Sequence, residues 1–324
     1  ANDDISLDIR RGEVFALVGE NGAGKTTLMN ILYGINEPTD GEVYIRGRKV
    51  EDFSPKTAIS MGVGMVHQHF MLVPSFTVAQ NIVLSREPKR LGVLFDNRAA
   101  EKKTRELSAR YGLSVDPAAV VNEISVGLQQ RVEILKTLYR GADILILDEP
   151  TAVLTPQETE ELFAVIRKVV REHGMTVIII THKLYEVMAI SDRVGVMRKG
   201  RLIGVENTCN VTERGLASMM VGRPVLYDKL EKTGAAGKEM IRVENLTVCD
   251  NRGLPAVKDM SLSVRAGEVL GIAAIEGNGQ SELLEAITGM RPAEGGRVYV
   301  CMQDVTGKSP GEIRAVGLAH IPED

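Results

Sequence analysis

A glycine-rich run near the N-terminus has residue types and a spacing suited to holding phosphate groups. Residues 19–27 read GENGAGKTT, and its three glycines allow successive backbone N–H groups to turn toward phosphate oxygens. An apolar strand pattern precedes the run and a helical pattern follows it, so the helix N-terminus adds positive potential at the same place. We predict that Lys25 reaches the β- and γ-phosphates of ATP and that Thr26 binds Mg²⁺. The predicted nucleotide-binding residues of this loop are Gly19, Asn21, Gly22, Gly24, Lys25, Thr26 and Thr27.

Two acids that could act on such a nucleotide follow the apolar run Ile144–Leu147. Parallel pairing of this run would place Asp148 and Glu149 at the same sheet edge as the phosphate-binding loop. Asp148 suits the Mg²⁺ shell, usually through water, and Glu149 suits the polarisation of an attacking water molecule. A solvated strand end is the plainer interpretation, and the neighbouring loop makes it the less favoured one.

The segment shortly before these acids reads SVGLQQR over residues 125–131. It resembles the signature segment of ABC-type ATPases, whose usual form is LSGGQ. Ser125 and Gly127 match that form, and the departures are Ile124, Val126 and Leu128. The resemblance implies that Ser125 and Gly127 contact the γ-phosphate across a dimer, with a helix N-terminus facing the opposite subunit.

Three further positions take their expected roles from this resemblance. Gln68 corresponds to the family's Q-loop glutamine, which senses Mg²⁺ and water and leads into the contact with the membrane domain. His182 corresponds to the switch histidine at the γ-phosphate, so we count it with Glu149 and Gln68 as catalytic. The segment 152–155 occupies the D-loop, which normally ends in Asp. Here it ends in Thr155, and this departure puts the loop's usual cross-dimer role in doubt.

The chain contains an internal repeat. Residues 12–34 and 267–289 align without a gap at an offset of 255, and the similarity continues to Gly317. The chain stops at Asp324, so we expect a second copy cut off after about its first third. Its chemistry differs, because Lys25 becomes Gln280, which cannot supply the phosphate-bridging charge. The other exchanges are Gly19 to Ala274 and Gln68 to Glu323, whereas Gly277, Gly279 and Ser281 are kept. We therefore expect a degenerate site that hydrolyses ATP poorly.

Apolar runs and helical patterns alternate along the first copy. The predicted strands are Ile5–Ile9, Glu13–Val18, Glu42–Arg46, Val63–His67, Ile144–Leu147 and Val177–Thr181, and the predicted helices are Lys25–Tyr33, 98–111 and Pro156–Glu172. Strand, helix and strand in succession imply a right-handed crossover in a parallel sheet. With the resemblance, this predicts an α/β P-loop NTPase of the ABC ATPase type with a mostly parallel core sheet and an antiparallel β part. The predicted divisions are a first domain over 1–226 with a helical lobe at about 76–140, a linker over 227–238, and part of a second domain over 239–324.

Composition bounds the possible functions. The formal charge of −4 gives no electrostatic case for nucleic acid, and no apolar run reaches the roughly 20 residues that cross a bilayer. The acidic start lacks Met and does not resemble a signal peptide, so we expect a truncated start. Three widely spaced cysteines indicate free thiols in a reducing compartment. His67 and His69 could bind a metal, but two such ligands without Cys or carboxylate partners usually do not.

The resemblance extends to the tandem ATP-binding subunits of simple-sugar and nucleoside importers. The sequence of residues 125–156 looks most like the nucleoside branch. It implies an ATPase at the cytoplasmic face of the cell membrane. Its implied partners are membrane permease subunits, indirectly a solute-binding protein, and a second ATPase unit or another copy. Two alternatives remain open: a tandem ATPase acting on ribosomes or DNA, and a nucleotide-binding module without turnover. The aromatic that stacks on adenine in this family would lie before Ala1.

Overall fold

A computed structural model describes residues 2–68, 70–90, 94–223, 237–274 and 277–322, which divide into two units, Ala1–Tyr227 and Asp228–Asp324. The strands of the first unit are β1 (Val14–Gly19), β2 (Tyr44–Ile45), β3 (Arg48–Lys49), β4 (Val63–Val66), β5 (Lys89–Arg90), β6 (Leu94–Phe95), β7 (Ile144–Asp148), β8 (Thr176–Ile180), β9 (Arg193–Arg198) and β10 (Arg201–Asn207). Its helices are α1 (Lys25–Leu32), α2 (Pro55–Ser60), α3 (Val78–Val83), α4 (Asn97–Tyr111), α5 (Val126–Tyr139), α6 (Pro156–His173), α7 (Leu184–Ile190) and α8 (Glu213–Val221).

A six-stranded sheet forms the centre of the first unit, in the order β10-β9-β1-β8-β7-β4. All neighbouring pairs are parallel except β10 with β9. β1 lies between β8 and β9, and all six of its residues are buried. Phe15 and Leu17 pack into one hydrophobic cluster and Ala16 and Val18 into another, so both faces of the strand are covered. A continuous apolar run is the pattern that such burial produces.

The carboxyl ends of the parallel strands meet at one sheet edge. β1 ends at Gly19, β7 ends at Asp148, and β8 separates them. The register places Leu17 of β1 and Asp148 of β7 both opposite Ile180 of β8. The phosphate-binding loop and the acidic pair are therefore two strands apart at the same edge, which is where ligands bind in sheets of this kind.

Helices of the lobe after β4 pack on one another and on the sheet. α3 contacts α4 and α5, and α5 also contacts β4. A capping box begins α3, because the Thr77 hydroxyl accepts from Gln80 N and the Gln80 side chain accepts from Thr77 N. The described residues of the predicted helical lobe at about 76–140 thus include three α-helices and a short 3-10 helix at Val121–Glu123, and β5 and β6 pair antiparallel between α3 and α4.

Two strand predictions for the N-terminal part were wrong in whole or in part. Ile5–Ile9 alternates half-buried and exposed residues and packs against the cluster around Phe15, but it forms no strand. An alternating pattern of burial indicates that one face of the segment is buried. A strand also needs a neighbouring backbone with which to form hydrogen bonds. Glu42–Arg46 is extended only over Tyr44–Ile45, where it pairs with β3. The left-handed conformation of Arg46, at φ 54°, ends that strand.

The described residues of the second unit form a four-stranded antiparallel sheet in the order β12-β11-β13-β14 and two helices. Its elements are β11 (Glu239–Cys249), β12 (Pro255–Arg265), α9 (Gln280–Ile287), β13 (Gly295–Val300), β14 (Gln303–Asp304) and α10 (Pro310–Ala315). The offset of 255 carries the start of α1 onto the start of α9. By contrast, residues 269–274, which match β1, are not a strand, and Val269 is 91% exposed. The described part of this unit has no counterparts of β8 and β9 beside them.

Among the described residues, no helix is both long and apolar enough to span a membrane.

Candidate functional site

The phosphate-binding loop connects β1 to α1 by a turn that depends on glycine. A Cβ at Gly19 would collide with the carbonyl oxygen of Met197 on β9. Gly24 caps α1 in the left-handed region at φ 97°, where a side chain would be strained. The loop therefore approaches the sheet closely and then opens directly into a helix N-terminus. Asn21 and Gly22 are exposed beside it, and Thr27 is half-buried in the first turn of α1.

Lys25 is held inside this loop by main-chain carbonyls. Its Nζ donates to Gly19 O at 2.8 Å and to Glu20 O at 3.0 Å, and the residue is 6% exposed. Burial lowers the pKa of Lys25, and the nearby Glu149 and Asp148 carboxylates oppose that effect. The buried ammonium therefore lies at the phosphate-binding turn, where phosphate oxygens can replace its two carbonyl partners.

Thr26 and Asp148 bring two oxygen donors together across the sheet edge. Thr26 Oγ1 lies 3.5 Å from Asp148 Oδ2. Asp148 is 7% exposed, and burial, followed by the neighbouring Glu149 charge, raises its pKa. A buried carboxylate with one long hydrogen bond and a hydroxyl beside it is an oxygen-only donor set, which is the kind that Mg²⁺ prefers. The residues present therefore fit the predicted cation.

Glu149 and His182 form a pair at the ends of β7 and β8. Glu149 Oε1 lies 3.0 Å from His182 Nδ1. Glu149 adopts the left-handed region at φ 46°, and its N–H donates to Ile180 O at 2.9 Å. A non-glycine residue in this conformation costs free energy, so the surrounding structure must hold it there. The carboxylate side chain is 20% exposed and the imidazole 49% exposed, so both are open to solvent on the loop side.

The signature segment begins α5 in an accessible position. Ser125 is the N-cap, with Oγ accepting from Leu128 N at 3.4 Å, and the residue is exposed. A Cβ at Gly127 would lie 2.6 Å from Glu158 Oε1 on α6, so a larger residue here would displace the Glu158 side chain. The predicted helix N-terminus near Gly127 is therefore confirmed, and it faces solvent.

The departure at the end of the D-loop has a local explanation. Thr155 is the N-cap of α6: its Oγ1 accepts from Glu158 N at 3.2 Å, and Glu158 Oε2 accepts from Thr155 N at 3.0 Å. Aspartate is an equally good N-cap, so the exchange of Asp for Thr keeps this function of the position. The substitution removes a charge without removing the helix start.

We predict that Thr155→Val will lower the free energy of unfolding of the chain by about 1 kcal/mol, because the hydroxyl that accepts from Glu158 N and donates to Glu158 Oε2 is lost. For a unit of this size, the melting temperature of the first unit should fall by about 2–4 °C. Thr155→Asp is the control and should melt near wild type. Equal melting temperatures for the Val and Asp variants in differential scanning calorimetry would contradict the capping role.

Gln68 and His67, which follow β4, differ in their exposure to solvent. Gln68 is exposed two residues after β4, so its side chain is accessible to solvent. His67 is half-buried, packs edge-on against Tyr33 with ring centroids 6.0 Å apart, and acts to lower the pKa of Asp148. His69, the second residue of the possible metal-binding pair, lies outside the described residues.

Two buried polar residues near the site were not predicted. Gln130 donates through Nε2 to Pro150 O at 2.5 Å and is 2% exposed, so it joins the signature helix to the segment after Glu149. Glu186 on α7 is fully buried behind His182. Polar residues at apolar-patterned helix positions are a signal in the sequence, but their partners are 20 and 35 residues away, which spacing does not reveal.

At residues 277–281 the second unit repeats the glycine conformations of residues 22–26 with different side chains. Gly279 caps α9 at φ 93°, almost as Gly24 caps α1. Gln280 occupies the position of Lys25, and Ser281 follows it where the first unit has Thr26. Ala274, matching Gly19, is described, whereas Glu323, which matches Gln68, lies outside the described residues. The backbone turn is thus retained and the cation is lost.

Comparison with known proteins gives matches for sequence and fold. Residues 2–152 match the ABC transporter family model. The nucleoside import ATP-binding protein NupA of Lactococcus lactis subsp. cremoris is 50% identical over 325 residues, which cover 100% of this chain and 64% of that protein. The guanosine import ATP-binding protein NupO of Bacillus subtilis is 50% identical over 324 residues, with coverages of 100% and 63%. This chain therefore spans just under two thirds of the length of these curated relatives.

A solved structure provides the corresponding comparison for the fold. It is a dimeric ATP-binding cassette in a post-hydrolysis state bound to ADP and Pi, with a TM-score of 0.55 and 27% identity. The match covers 64% of this chain and 90% of that one. The predicted fold class is confirmed: an ABC ATPase P-loop fold with a mostly parallel core sheet, antiparallel sheets and helices.

Proposed function

Because residues 2–152 match the ABC transporter family model, we propose that the first unit belongs to that family, binds ATP with Mg²⁺ and hydrolyses ATP to ADP and phosphate. We propose further that this hydrolysis powers the uptake of a nucleoside or a simple sugar through an ABC importer. One observation carries the proposal: Lys25, the Thr26–Asp148 pair and the Glu149–His182 pair converge at one edge of the sheet. The names of the relatives NupA and NupO favour a nucleoside.

The residues of the first loop bind the phosphates. The backbone N–H groups from Gly19 to Thr27 and the N-terminus of α1 surround the β-phosphate, and Lys25 exchanges its carbonyl partners for phosphate oxygens. Thr26 and Asp148 would hold Mg²⁺, which when bound would neutralise charge that develops on the phosphates. Gln68, in the exposed segment after β4, would contact that cation and the water.

Glu149 and His182 act on the water and the γ-phosphate. The Glu149 carboxylate accepts a hydrogen bond from the water that attacks the γ-phosphorus, and the bond from that phosphorus to the ADP oxygen breaks. His182 holds Glu149 through the 3.0 Å contact and donates to the γ-phosphate from its other ring nitrogen. The exposed Ser125 and Gly127 of another ATPase unit complete the γ-phosphate contacts across a dimer.

The proposed division follows the repeat: a first ATPase domain over 1–226, a linker over 227–238, and the beginning of a second ATPase domain over 239–324. The Gln280 loop retains the turn but lacks the cation, so it is a site of poor hydrolysis. The Lys25 loop of the first domain then pairs with the signature of a second ATPase unit or of another copy.

The membrane partner contacts the region of Gln68. A cleft of about 250 Å³ beside this segment is lined by Tyr33, His67, Met71, Lys136 and Arg140. Met71 is 61% exposed at its rim, so apolar and charged surface are both available to a permease. The solute-binding protein acts through the permease, and the ATPase is peripheral at the cytoplasmic face of the membrane. Co-purification with a permease supports this assignment, and co-purification with ribosomes or nucleic acid contradicts it.

A dimer of this chain should hydrolyse ATP, because the exposed Ser125 of one copy can reach the loop of another. We predict that steady-state turnover per mole of chain rises with chain concentration until the dimer saturates. A turnover that is measurable and independent of concentration would contradict pairing between copies. No measurable turnover at any concentration would favour a nucleotide-binding module.

Mixing two inactive variants tests the same arrangement. Lys25→Gln disables the loop, and Ser125→Asp keeps the N-cap of α5 but places a carboxylate at the γ-phosphate. A mixed dimer contains one composite site with an intact Lys25 and an intact Ser125. We expect activity in the mixture that neither variant has alone, and Ser125→Asn is the neutral control for capping.

A further inference from the structure

Behind the Glu149–His182 pair, the structure contains a buried carboxylate that the proposed mechanism does not use. Glu186 on α7 is 0% exposed. Its Oε2 accepts from the Thr181 hydroxyl at 2.9 Å, and its Oε1 accepts from the Tyr185 hydroxyl at 3.1 Å and from the Thr151 hydroxyl. The Lys183 ammonium lies 3.4 Å from Oε1. Three hydroxyls and one cation therefore surround this single carboxylate.

These partners belong to the two segments that carry the catalytic pair. Thr151 comes two residues after Glu149, and Thr181 comes directly before His182. Lys183 adds a second link, because its Nζ donates to Thr151 O at 2.9 Å. One carboxylate thus accepts hydrogen bonds from the segment after β7 and from the segment after β8 at the same time.

Such an arrangement needs a reason, because a buried charge costs free energy. Taking a carboxylate out of water carries a penalty of several kcal/mol, and an ion pair with its hydrogen bonds often only offsets it. Apolar packing of equal volume would serve stability as well or better. What a carboxylate supplies, and an apolar side chain does not, is fixed direction to several donors at once.

We propose that Glu186 is a positioning residue that holds the Glu149 and His182 segments in register, so that the 3.0 Å contact between their side chains is maintained. The left-handed conformation of Glu149 favours this reading, since a strained residue must be held by its surroundings. Glu186 contacts neither substrate nor reacting atoms, and it acts through Thr151 and Thr181. The inference rests on the proposed ATP hydrolysis for its kinetic consequence, but not for its structural one.

The structural test is amide hydrogen exchange of the whole chain, followed by mass spectrometry. Two variants weaken the cluster: Glu186→Gln removes the charge, and Thr151→Val removes one hydroxyl at almost constant shape. We expect the segments 149–155 and 181–186 to exchange at least about threefold faster in both variants, because local opening becomes more frequent. The phosphate-binding loop should exchange as in wild type.

Matched controls separate positioning from general loss of stability. Glu13→Gln removes another buried carboxylate, which lies at the opposite end of β1 and contacts Arg193 at 3.1 Å. Thr104→Val removes the hydroxyl of a fully buried threonine on α4, whose Oγ1 has no hydrogen-bond partner among the described residues. Neither control should change exchange in the segments 149–155 and 181–186, even where the melting temperature falls.

The kinetic test is the separation of kcat from KM. A misplaced catalytic group lowers turnover by about 10- to 100-fold without weakening nucleotide binding. For Glu186→Gln and Thr151→Val we therefore expect a kcat at least about tenfold below wild type, with the KM for ATP changed less than about threefold. Glu186→Asp, which keeps the charge on a shorter side chain, should recover part of the rate.

Failure of this proposal can be distinguished from failure of the proposed function. Wild-type exchange in the segments 149–155 and 181–186 of both cluster variants would overturn the positioning role, whatever the ATPase activity. Equal loss of kcat in Glu13→Gln and Glu186→Gln would also overturn it, because general destabilisation would then explain both. An inactive wild-type chain would sink the proposed hydrolysis alone, and the exchange result would still decide on Glu186.

Discussion

Replacing Glu149 by glutamine should leave ATP binding close to wild type and lower turnover by about 100- to 10,000-fold. Glutamine has nearly the same shape as glutamate, so the loop, Lys25 and Thr26 keep their places. Its amide is a far weaker proton acceptor, and the attacking water loses its polarising partner. The ATP affinity is measured by equilibrium titration and the turnover by phosphate release, on the same preparation.

The geometry makes this a large expected effect. Glu149 is the acid at the end of β7 that is partly exposed and paired with His182, whereas Asp148 is buried and directed at Thr26. The two neighbouring carboxylates therefore have different tasks, and Glu149 is the one that can reach a solvent molecule. His182→Ala should lower turnover less than Glu149→Gln, because it removes the residue that holds the base and leaves the base itself.

Glu20→Gln is the control for this experiment. Glu20 is an exposed acid of the same loop region, so its substitution removes the same charge near the nucleotide. We expect turnover within about twofold of wild type for this variant, since surface charges act weakly. Undiminished hydrolysis by Glu149→Gln would remove Glu149 from the proposed mechanism, and a comparable loss in Glu20→Gln would attribute the effect to local charge.

The parts of the site that the sequence could predict are those that lie in one contiguous segment. The loop at 19–27 carries its own geometry, because the glycines, the strand before it and the helix after it are neighbours in the chain. The strand ending at Asp148 was equally recognisable, since a run buried on both faces is apolar throughout.

What the sequence could not predict depends on contacts between distant segments. Ile5–Ile9 has strand-like alternation, yet it is not a strand, because pairing is decided by which backbone lies alongside. The link from Gln130 to Pro150 and the cluster around Glu186 join segments 20 or more residues apart. A buried polar residue can be noticed in a sequence, but its partners are known only once the fold brings them together.

The second large effect is expected at Lys25 in the phosphate-binding loop, and the repeat suggests which substitution to make. Lys25→Gln gives the first loop the residue that stands at position 280 in the second. We expect ATP affinity to fall by about 10- to 100-fold, because charge-assisted hydrogen bonds to phosphate contribute about 1.5–3 kcal/mol. The affinity is measured by titration with Mg²⁺ and ATP, with turnover recorded in parallel.

Although Lys25→Gln should weaken ATP binding, we expect it to raise the stability of the nucleotide-free chain or leave it unchanged. Lys25 is 6% exposed, and burial lowers its pKa, so its charge is unfavourable in the empty loop. A neutral glutamine removes that penalty while it forfeits the bonds to Gly19 O and Glu20 O. The nucleotide-free variant should therefore melt at or above the wild-type temperature, and the increase in melting temperature caused by ATP should shrink.

This opposition separates a ligand-binding lysine from a structural one. Lys56→Gln, at an exposed position on α2, is the control and should change neither melting temperature nor affinity. A variant at position 25 that melts several degrees lower without nucleotide would show that the ammonium stabilises the loop itself. Wild-type ATP affinity in Lys25→Gln would place the strong nucleotide site elsewhere in the chain. In Lys25→Gln, both loops have glutamine after the capping glycine and neither has the cation. We therefore expect each loop to bind ATP about 10- to 100-fold more weakly than the wild-type first loop.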